Sequence, residues 1–366
     1  MDTSGSYLRK GAAAALPLPP VSERRWRCLA VIFALALPVP PALAADACSN
    51  LAIMTEASVT VSDGSTFRTK SFFRSKEAAA IRHLDDRDRT VAVEGPVGWA
   101  SDGEKSQAGS EFYKTFALGH QYHALMLHFD SIAANVRHDS QVEFAGENRP
   151  ATSGDYPYGG TVHLVRGQDA ARPAGIRFDF PEDTLIFATF RDWREQDHRP
   201  LPFHIQIDDG ERTFDYRYTN VSLSDASPLW FFDAVPAPPL DELQIYRLHR
   251  KLLAAHCIGD AGLMAELSAP SVYSVNRGRV DMATKAELKT RFSSVFDALD
   301  YTQYHDLSAP VIEVSGDVGW IAANTRAIGE EKSSERTFDD TWAWIMTVRK
   351  VDGRWLHAAN ASNRQE

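Results

Sequence analysis

The chain carries only 3 cysteines in 366 residues, which excludes a scaffold stapled by several disulfides. Basic side chains are in deficit: 39 Lys and Arg stand against 49 Asp and Glu, a formal charge of −10. A surface of that sign repels phosphate backbones, so no nucleic-acid partner is expected. Beyond residue 44 no apolar run reaches 18 residues, too little for a membrane-crossing helix in the remaining chain. Also missing are a Gly-rich phosphate loop, a Gly-x-Ser-x-Gly elbow, a His-Glu-x-x-His helix and a Cys-x-x-Cys pair. Serine-hydrolase, zinc-peptidase and nucleotide chemistry therefore have none of their usual signatures.

What is present begins with a leader. Arg24, Arg25 and Arg27 precede the apolar run "CLAVIFALAL" (28–37), then "PVPP", then the small residues Ala42 and Ala44. That order reads as a Sec-type signal peptide over residues 1–44, cleaved near Ala44. The apolar run of ten residues is too short to span a bilayer, which needs about 20. The expected location is periplasmic or secreted. Cleavage removes Arg9, Lys10, Arg24, Arg25 and Arg27 but only Asp2 and Glu23, so the mature chain is more acidic still. It retains Cys48 and Cys257, and an oxidising compartment leaves both a single disulfide and two unpaired thiols open.

The mature chain divides by pattern. Residues 45–235 are a succession of short alternating runs such as "TFRTKSFFR" and "TVAVEGPVGWAS", which predict antiparallel strands. Asp209-Gly210 lies between two such runs and predicts a hairpin, because that pair readily takes positive φ. Residues 110–134 lack the alternation and predict one helix inserted among the strands. "DAVPAPPLD" (233–241) marks the linker, placed at 236–241. Residues 242–366 open with the helical "DELQIYRLHRKLLAAHCIG", which Asp241 is positioned to cap. A short helix, a strand pair joined through Gly278 and a further helix follow, the last begun by a capping box at Thr284 and Glu287. Long strands complete the chain. The expected class is α+β, with helices covering one sheet face.

Two resemblances give this plan more detail. "GDAGLMAELSAPSVYSVNRGR", "TKAEL", "VIEVSGDVGWIAANT" and "WIMTVRKVDGRWLHAANAS" make residues 240–362 resemble the SnoaL-like, nuclear-transport-factor-2-like (ketosteroid-isomerase-like) family. The resemblance implies an α+β cone, helices on a curved sheet whose concave face forms an apolar pocket. Some members of the family are isomerases, dehydratases or hydrolases, and many have no known catalysis. No counterpart of the isomerase's buried base is found, and the strand after "GRW" reads "LHAANAS" where many relatives are richer in histidine. "GWASDGE", "FYKTFALGHQYHALMLHFD" and "FRDWREQDHRPLPFHIQIDDGERTFDYRYTNVSL" make the first domain similar to LolA-like periplasmic proteins, which implies an antiparallel half-barrel around the inserted helix.

The polar groups expected near the pocket mouth are Tyr246, Tyr273, His357 and Asn360, with Trp342 and Trp344 as apolar wall. Each has a bland alternative as a packed core residue or a satisfied core polar group. In "TWAWIMTVRK" both alternate faces are mostly apolar, which predicts a strand covered on both sides. The charge runs "HLDDRDR" (83–89) and "GEEKSSER" (329–336) read as solvated turns. "LGHQYHALMLHFD" (118–130) concentrates three histidines. On a helix His120 and His123 lie about 60° apart and His128 falls about 12 Å away along the axis, so they cannot converge on one ion unaided. No metal and no cofactor are expected there.

These residues point to an exported protein that binds a small apolar or amphipathic molecule in the second domain without catalysis. A cofactor-independent isomerase, dehydratase or hydrolase in the same pocket is the alternative from another class. A structural module that pairs two copies through the C-terminal domain is a third.

Overall fold

The computed structural model describes residues 50–365, except 85–87, 103–104, 110, 170, 227–236, 277 and 335. The leader, Cys48, the tip of the 83–89 charge run and most of the Pro-rich approach to the linker lie outside the described residues. Residues 45–366 form one compact unit.

Its first part is one sheet of 13 strands. Six come first: β1 (Asn50–Val61), β2 (Thr66–Ser75), β3 (Ala78–His83), β4 (Arg89–Glu94), β5 (Val97–Ser101) and β6 (Ser106–Gly109). Three short helices follow, α1 (Glu111–Gly119), α2 (Tyr122–Leu127) and α3 (Phe129–Ile132). The sheet resumes with β7 (Ala134–Phe144), β8 (Glu147–Asp155), β9 (Thr161–Val165), β10 (Gly175–Phe180), β11 (Thr184–Gln196), β12 (Arg199–Asp208) and β13 (Thr213–Ala226). The spatial order is β6-β5-β4-β3-β2-β1-β13-β12-β11-β10-β9-β8-β7. The chain therefore walks out from β1 to one edge, crosses on the helices, and walks back from the opposite edge to β13.

That crossing fixes the place of the histidine-rich stretch. Gln121 Nε2 donates to the Ala80 carbonyl of β3 at 3.0 Å, and His123 Nε2 donates to the Pro202 carbonyl of β12 at 2.8 Å. The Tyr156 hydroxyl donates to Thr115 O at 2.9 Å. The helices are thus bound to both arms of the sheet, with Leu118 and Leu125 fully buried beneath them. His120 Nδ1 is engaged on Phe116 O. Among the described residues no three His, Cys, Asp or Glu side chains gather as metal ligands.

The second part opens with α4 (Asp241–Cys257), α5 (Ala261–Glu266), β14 (Ser268–Asn276), β15 (Arg279–Thr284) and α6 (Lys285–Ala298). It ends with β16 (Leu299–Asp306), β17 (Val311–Ser315), β18 (Val318–Glu331), β19 (Arg336–Val351) and β20 (Arg354–Arg364). Its sheet of 7 strands runs β15-β14-β20-β19-β18-β16, with β17 also paired to β18. The β14–β20 pair is parallel. Ile245, Leu248 and Leu252 of α4 pack with Met264, Phe296, Ile321, Met346 and Val348 as its core. The capping box forms as expected: Glu287 N donates to Thr284 Oγ1, and Glu287 Oε2 accepts from Thr284 N.

Four expectations need correction. The α+β class, with a cone of helices on a curved sheet, is not what is found: strand dominates the chain, in two large and mostly antiparallel sheets. Part of that strand content comes from "NVRHDSQVEFAGENRPATSGD", for which no particular strands were expected and which supplies most of β7 and all of β8. The single inserted helix is broken into helices of 9, 6 and 4 residues, and the side chains of Gln121 and His123 at the first break bond to the sheet. Asp241 is not the N-cap of α4. Leu240 holds that place without a side-chain bond, while Asp241 Oδ1 accepts from Lys350 Nζ at 2.7 Å and Trp355 Nε1 at 2.8 Å. It ties the helix start to the sheet instead. Finally, β19 is not covered on both sides: Ala343, Ile345 and Thr347 are exposed.

A candidate ligand cavity

Between the helices and the second sheet lies a cavity of about 380 Å³, within the range of small-molecule sites, about 300–1,000 Å³. Its apolar depth is made by Leu252 and Leu253 of α4, Met264 of α5, Phe292 of α6 and Met346 of β19. Trp342 and Trp344 form one wall, and Tyr301, Tyr304 and Phe338 another. Glu331, Arg336, Asp340 and Arg364 add charge. Asp340 is spent on Arg364 at 2.6 Å, whereas Arg336 has no ion pair among the described residues. The flanks of the 329–336 run therefore line the cavity, where only a solvated turn was expected.

Four of the six residues singled out from the sequence are gathered here: Trp342, Trp344, His357 and Asn360. Register explains the grouping. In β20, His357 pairs with Val348 and Ala359 with Thr347, so Ala358 is a bulge. An extra residue flips the alternation, and His357 comes to share a face with Asn360, Ser362 and Arg364 despite its odd spacing. Asn360 Oδ1 accepts from Ser274 Oγ at 3.1 Å. Neither ring nitrogen of His357 has a partner at hydrogen-bond geometry. Burial pushes its pKa down to about 4, outweighing the neighbouring Asn360 side chain and Ala359 backbone.

Tyr246 and Tyr273 are elsewhere. Tyr273 is 51% exposed on the opposite face of the sheet. Tyr246 is buried against the first sheet, its ring over Gly95 in the turn between β4 and β5. This contact belongs to a buried charged seam along α4. Arg247 grips Glu94 through two bonds of 2.7 and 2.6 Å. His249 Nε2 lies 2.8 and 3.0 Å from the Asp306 carboxylate, and Arg250 lies 3.6 Å from it. Burial raises the Glu94 and Glu77 carboxyls, while Asp306 is lowered by His249 and Arg250 against its own burial. The seam backs onto the cavity wall: the His249 ring is 4.9 Å from that of Trp344, whose Nε1 donates to Thr325 Oγ1 at 3.2 Å.

Pattern reading missed His256, Tyr301 and Tyr304. Their only signal was position: His256 closes the first helix of the domain, and "LDYTQYHD" places both tyrosines on one strand. His256 Nδ1 donates to Leu252 O at 2.8 Å. Its ring stands edge-on to Phe292, Phe296, Tyr301 and Tyr304, with centroids 4.8–5.7 Å away. Burial holds its pKa near 4, so the ring is neutral at neutral pH. Cys257, beside it, is disulfide-bonded.

One hydrolase-like arrangement occurs in the first sheet. Ser153 Oγ is 2.6 Å from His163 Nδ1, and His163 Nε2 is 3.3 Å from Asp179. Nucleophilic attack needs a reachable hydroxyl. Ser153 is 1% exposed, so the set is a cross-strand tie, with Arg177 holding Asp179 at 2.5 Å.

No family model matches the chain, and no curated protein does. Solved structures do. A ketosteroid isomerase-like protein from Erwinia carotovora atroseptica is 19% identical over 34% of this chain and 97% of its own, with a TM-score of 0.31. An NTF2-like protein from Cytophaga hutchinsonii is 20% identical over 34% and 99%, with a TM-score of 0.30. A LolA superfamily protein from Nitrosomonas europaea is 12% identical over 49% and 88%, with a TM-score of 0.37. Each likeness covers part of the chain and says nothing of what the cavity holds. Among the structures found are both kinds that the residues of the second and first halves resemble: NTF2-like, ketosteroid-isomerase-like proteins and a LolA superfamily protein.

Proposed function

We propose that this is an exported protein whose residues 242–366 bind a small apolar or amphipathic molecule, without chemical conversion. The observation carrying this reading is the cavity lining: apolar depth, aromatic walls and a few polar groups, the composition that holds and orients a small ligand. An acid–base enzyme needs a carboxyl or imidazole poised near the working pH. The carboxyls that burial raises, Glu77 and Glu94, do not line the cavity. The imidazoles that do, His256 and His357, are held near 4. Native mass spectrometry of protein purified from its own host tests the reading. A discrete co-purified mass of a few hundred daltons, released on denaturation, is the expected result. Clean spectra, together with no change in tryptophan emission on titrating apolar fluorophores, would overturn it.

A second reading, pairing of two copies through the C-terminal sheet, is favoured by one observation. Val280, Val275, Ala361, Ile345, Ala322 and Val311 are successive cross-strand neighbours from β15 to β17. Val280 is 70% exposed and Val311 56%. A contiguous exposed apolar band marks an interaction face. The two readings are compatible, because the cavity opens on the other face of the sheet.

A further inference from the structure

His256 lines the cavity at the end of α4. Its Nδ1 is 2.8 Å from the Leu252 carbonyl oxygen. A carbonyl can only accept, so Nδ1 carries the proton and Nε2 keeps a lone pair. Nε2 lies on the far side of the ring from that bond and has no partner among the described residues. The surrounding rings of Phe292, Phe296, Tyr301 and Tyr304 meet the imidazole edge-on, which fixes its plane. The cavity lining thus contains at His256 an acceptor whose tautomer and ring plane are both fixed, unlike the unpartnered ring of His357. An acceptor left unmatched against a bound ligand costs free energy, so the site discriminates by what it meets.

We propose that His256 Nε2 is the recognition point of the cavity, and that the ligand is a flat, ring-containing alcohol or phenol whose hydroxyl donates to it. Trp342, Trp344 and Tyr304 supply flat surfaces for such a body. This inference rests on the ligand-binding reading above. Isothermal titration of the mature full chain with 2-naphthol and with 2-methoxynaphthalene tests it: the bodies are alike, but only the first can donate. The expected result is about tenfold tighter binding of 2-naphthol. In His256→Phe the preference falls to about one while 2-methoxynaphthalene binds as before. Because that variant loses the Leu252 bond and can fail to fold, a second measurement uses the native protein labelled with ¹⁵N-histidine. Its unprotonated Nε2 resonance shifts toward the protonated range with 2-naphthol alone. Equal affinities for the two probes, or an Nε2 shift produced by both or by neither, would overturn the recognition role. Binding of neither probe would overturn the ligand-binding reading on which it rests.

Discussion

Removing the Arg247 guanidinium should be far more damaging than its surface position suggests. Arg247 is 21% exposed at its side chain, but its partner Glu94 is 1% exposed, and the two share bonds of 2.7 and 2.6 Å. Arg247→Ala leaves a buried carboxylate without its two hydrogen-bonded donors, and the charges of Arg74 and Lys251 that remain near it act more weakly. Two charge-assisted bonds at about 1.5–3 kcal/mol each agree with the roughly 3–5 kcal/mol measured when one member of a buried pair is deleted. Urea unfolding followed by circular dichroism should then show a midpoint lower by about 1–2 M. The cost carries a pH signature. The Glu94 carboxyl is raised above its ordinary value of 4.5 by burial, against the pull of Arg247, and without Arg247 it rises further. A carboxyl raised in the folded state binds protons more readily there than when unfolded. Its penalty is therefore absent below 4.5 and grows as pH rises through the folded value. Arg247→Ala should accordingly recover stability relative to the parent as pH is lowered from 7 toward 4.5. The paired Arg247→Met, Glu94→Leu variant should return to within a few kcal/mol of the parent, since apolar replacement of both partners removes the unpaired charge. An Arg247→Ala loss below about 0.5 kcal/mol, the ordinary surface value, would refute the reasoning.

Three further outcomes follow from the same contacts. Gly95→Ala should destabilise by about 1–3 kcal/mol in thermal melts. Gly95 has φ of +56°, and an added Cβ would lie 2.3 Å from the Tyr246 ring; Tyr246→Ala should relieve only the steric part. Acid should unfold the protein over a window set by four histidines, His120, His123, His256 and His357, each lowered from 6.5 to about 4 by burial. Unfolded histidine takes up protons that the folded state refuses, so stability is full above 6.5 and falls as pH drops toward 4. A urea midpoint flat across that interval would count against their burial. Ile345→Lys with Val280→Lys should turn a dimer into a monomer by light scattering, and a mass unchanged from a monomeric parent would remove the pairing reading.

Local signals in the sequence survived where they rested on a few adjacent residues. The Thr284–Glu287 capping box forms, and Asp209-Gly210 turns β12 into β13 with Gly210 at φ +85°. Those motifs close their own hydrogen bonds, so no distant partner can redirect them. Asp241 shows the opposite. Its place at a helix start was readable, yet Lys350 and Trp355, over a hundred residues away, offered its carboxylate better donors. The "TWAWIMTVRK" face was misread for a related reason. Apolar side chains predict burial, but only the arrangement of neighbours decides whether anything covers them, and Ile345 is 44% exposed.

The candidate site divides along the same line. Trp342 and Trp344 could be assigned to one strand face because a two-residue alternation is intrinsic to an extended backbone. That His357 joins Asn360 depends on a bulge at Ala358 created by pairing with β19. That Tyr246 serves the seam rather than the cavity depends on Gly95, distant in sequence. His256 acquires its open acceptor only when Leu252 takes the other nitrogen and four rings from α6 and β16 close around it. The sequence by itself determined the strand alternation, the hairpin and capping signals and the two resemblances, because each is written in neighbouring residues. Tertiary structure alone decided which polar groups meet in the cavity, because burial and hydrogen-bond partnership are properties of segments brought together by folding.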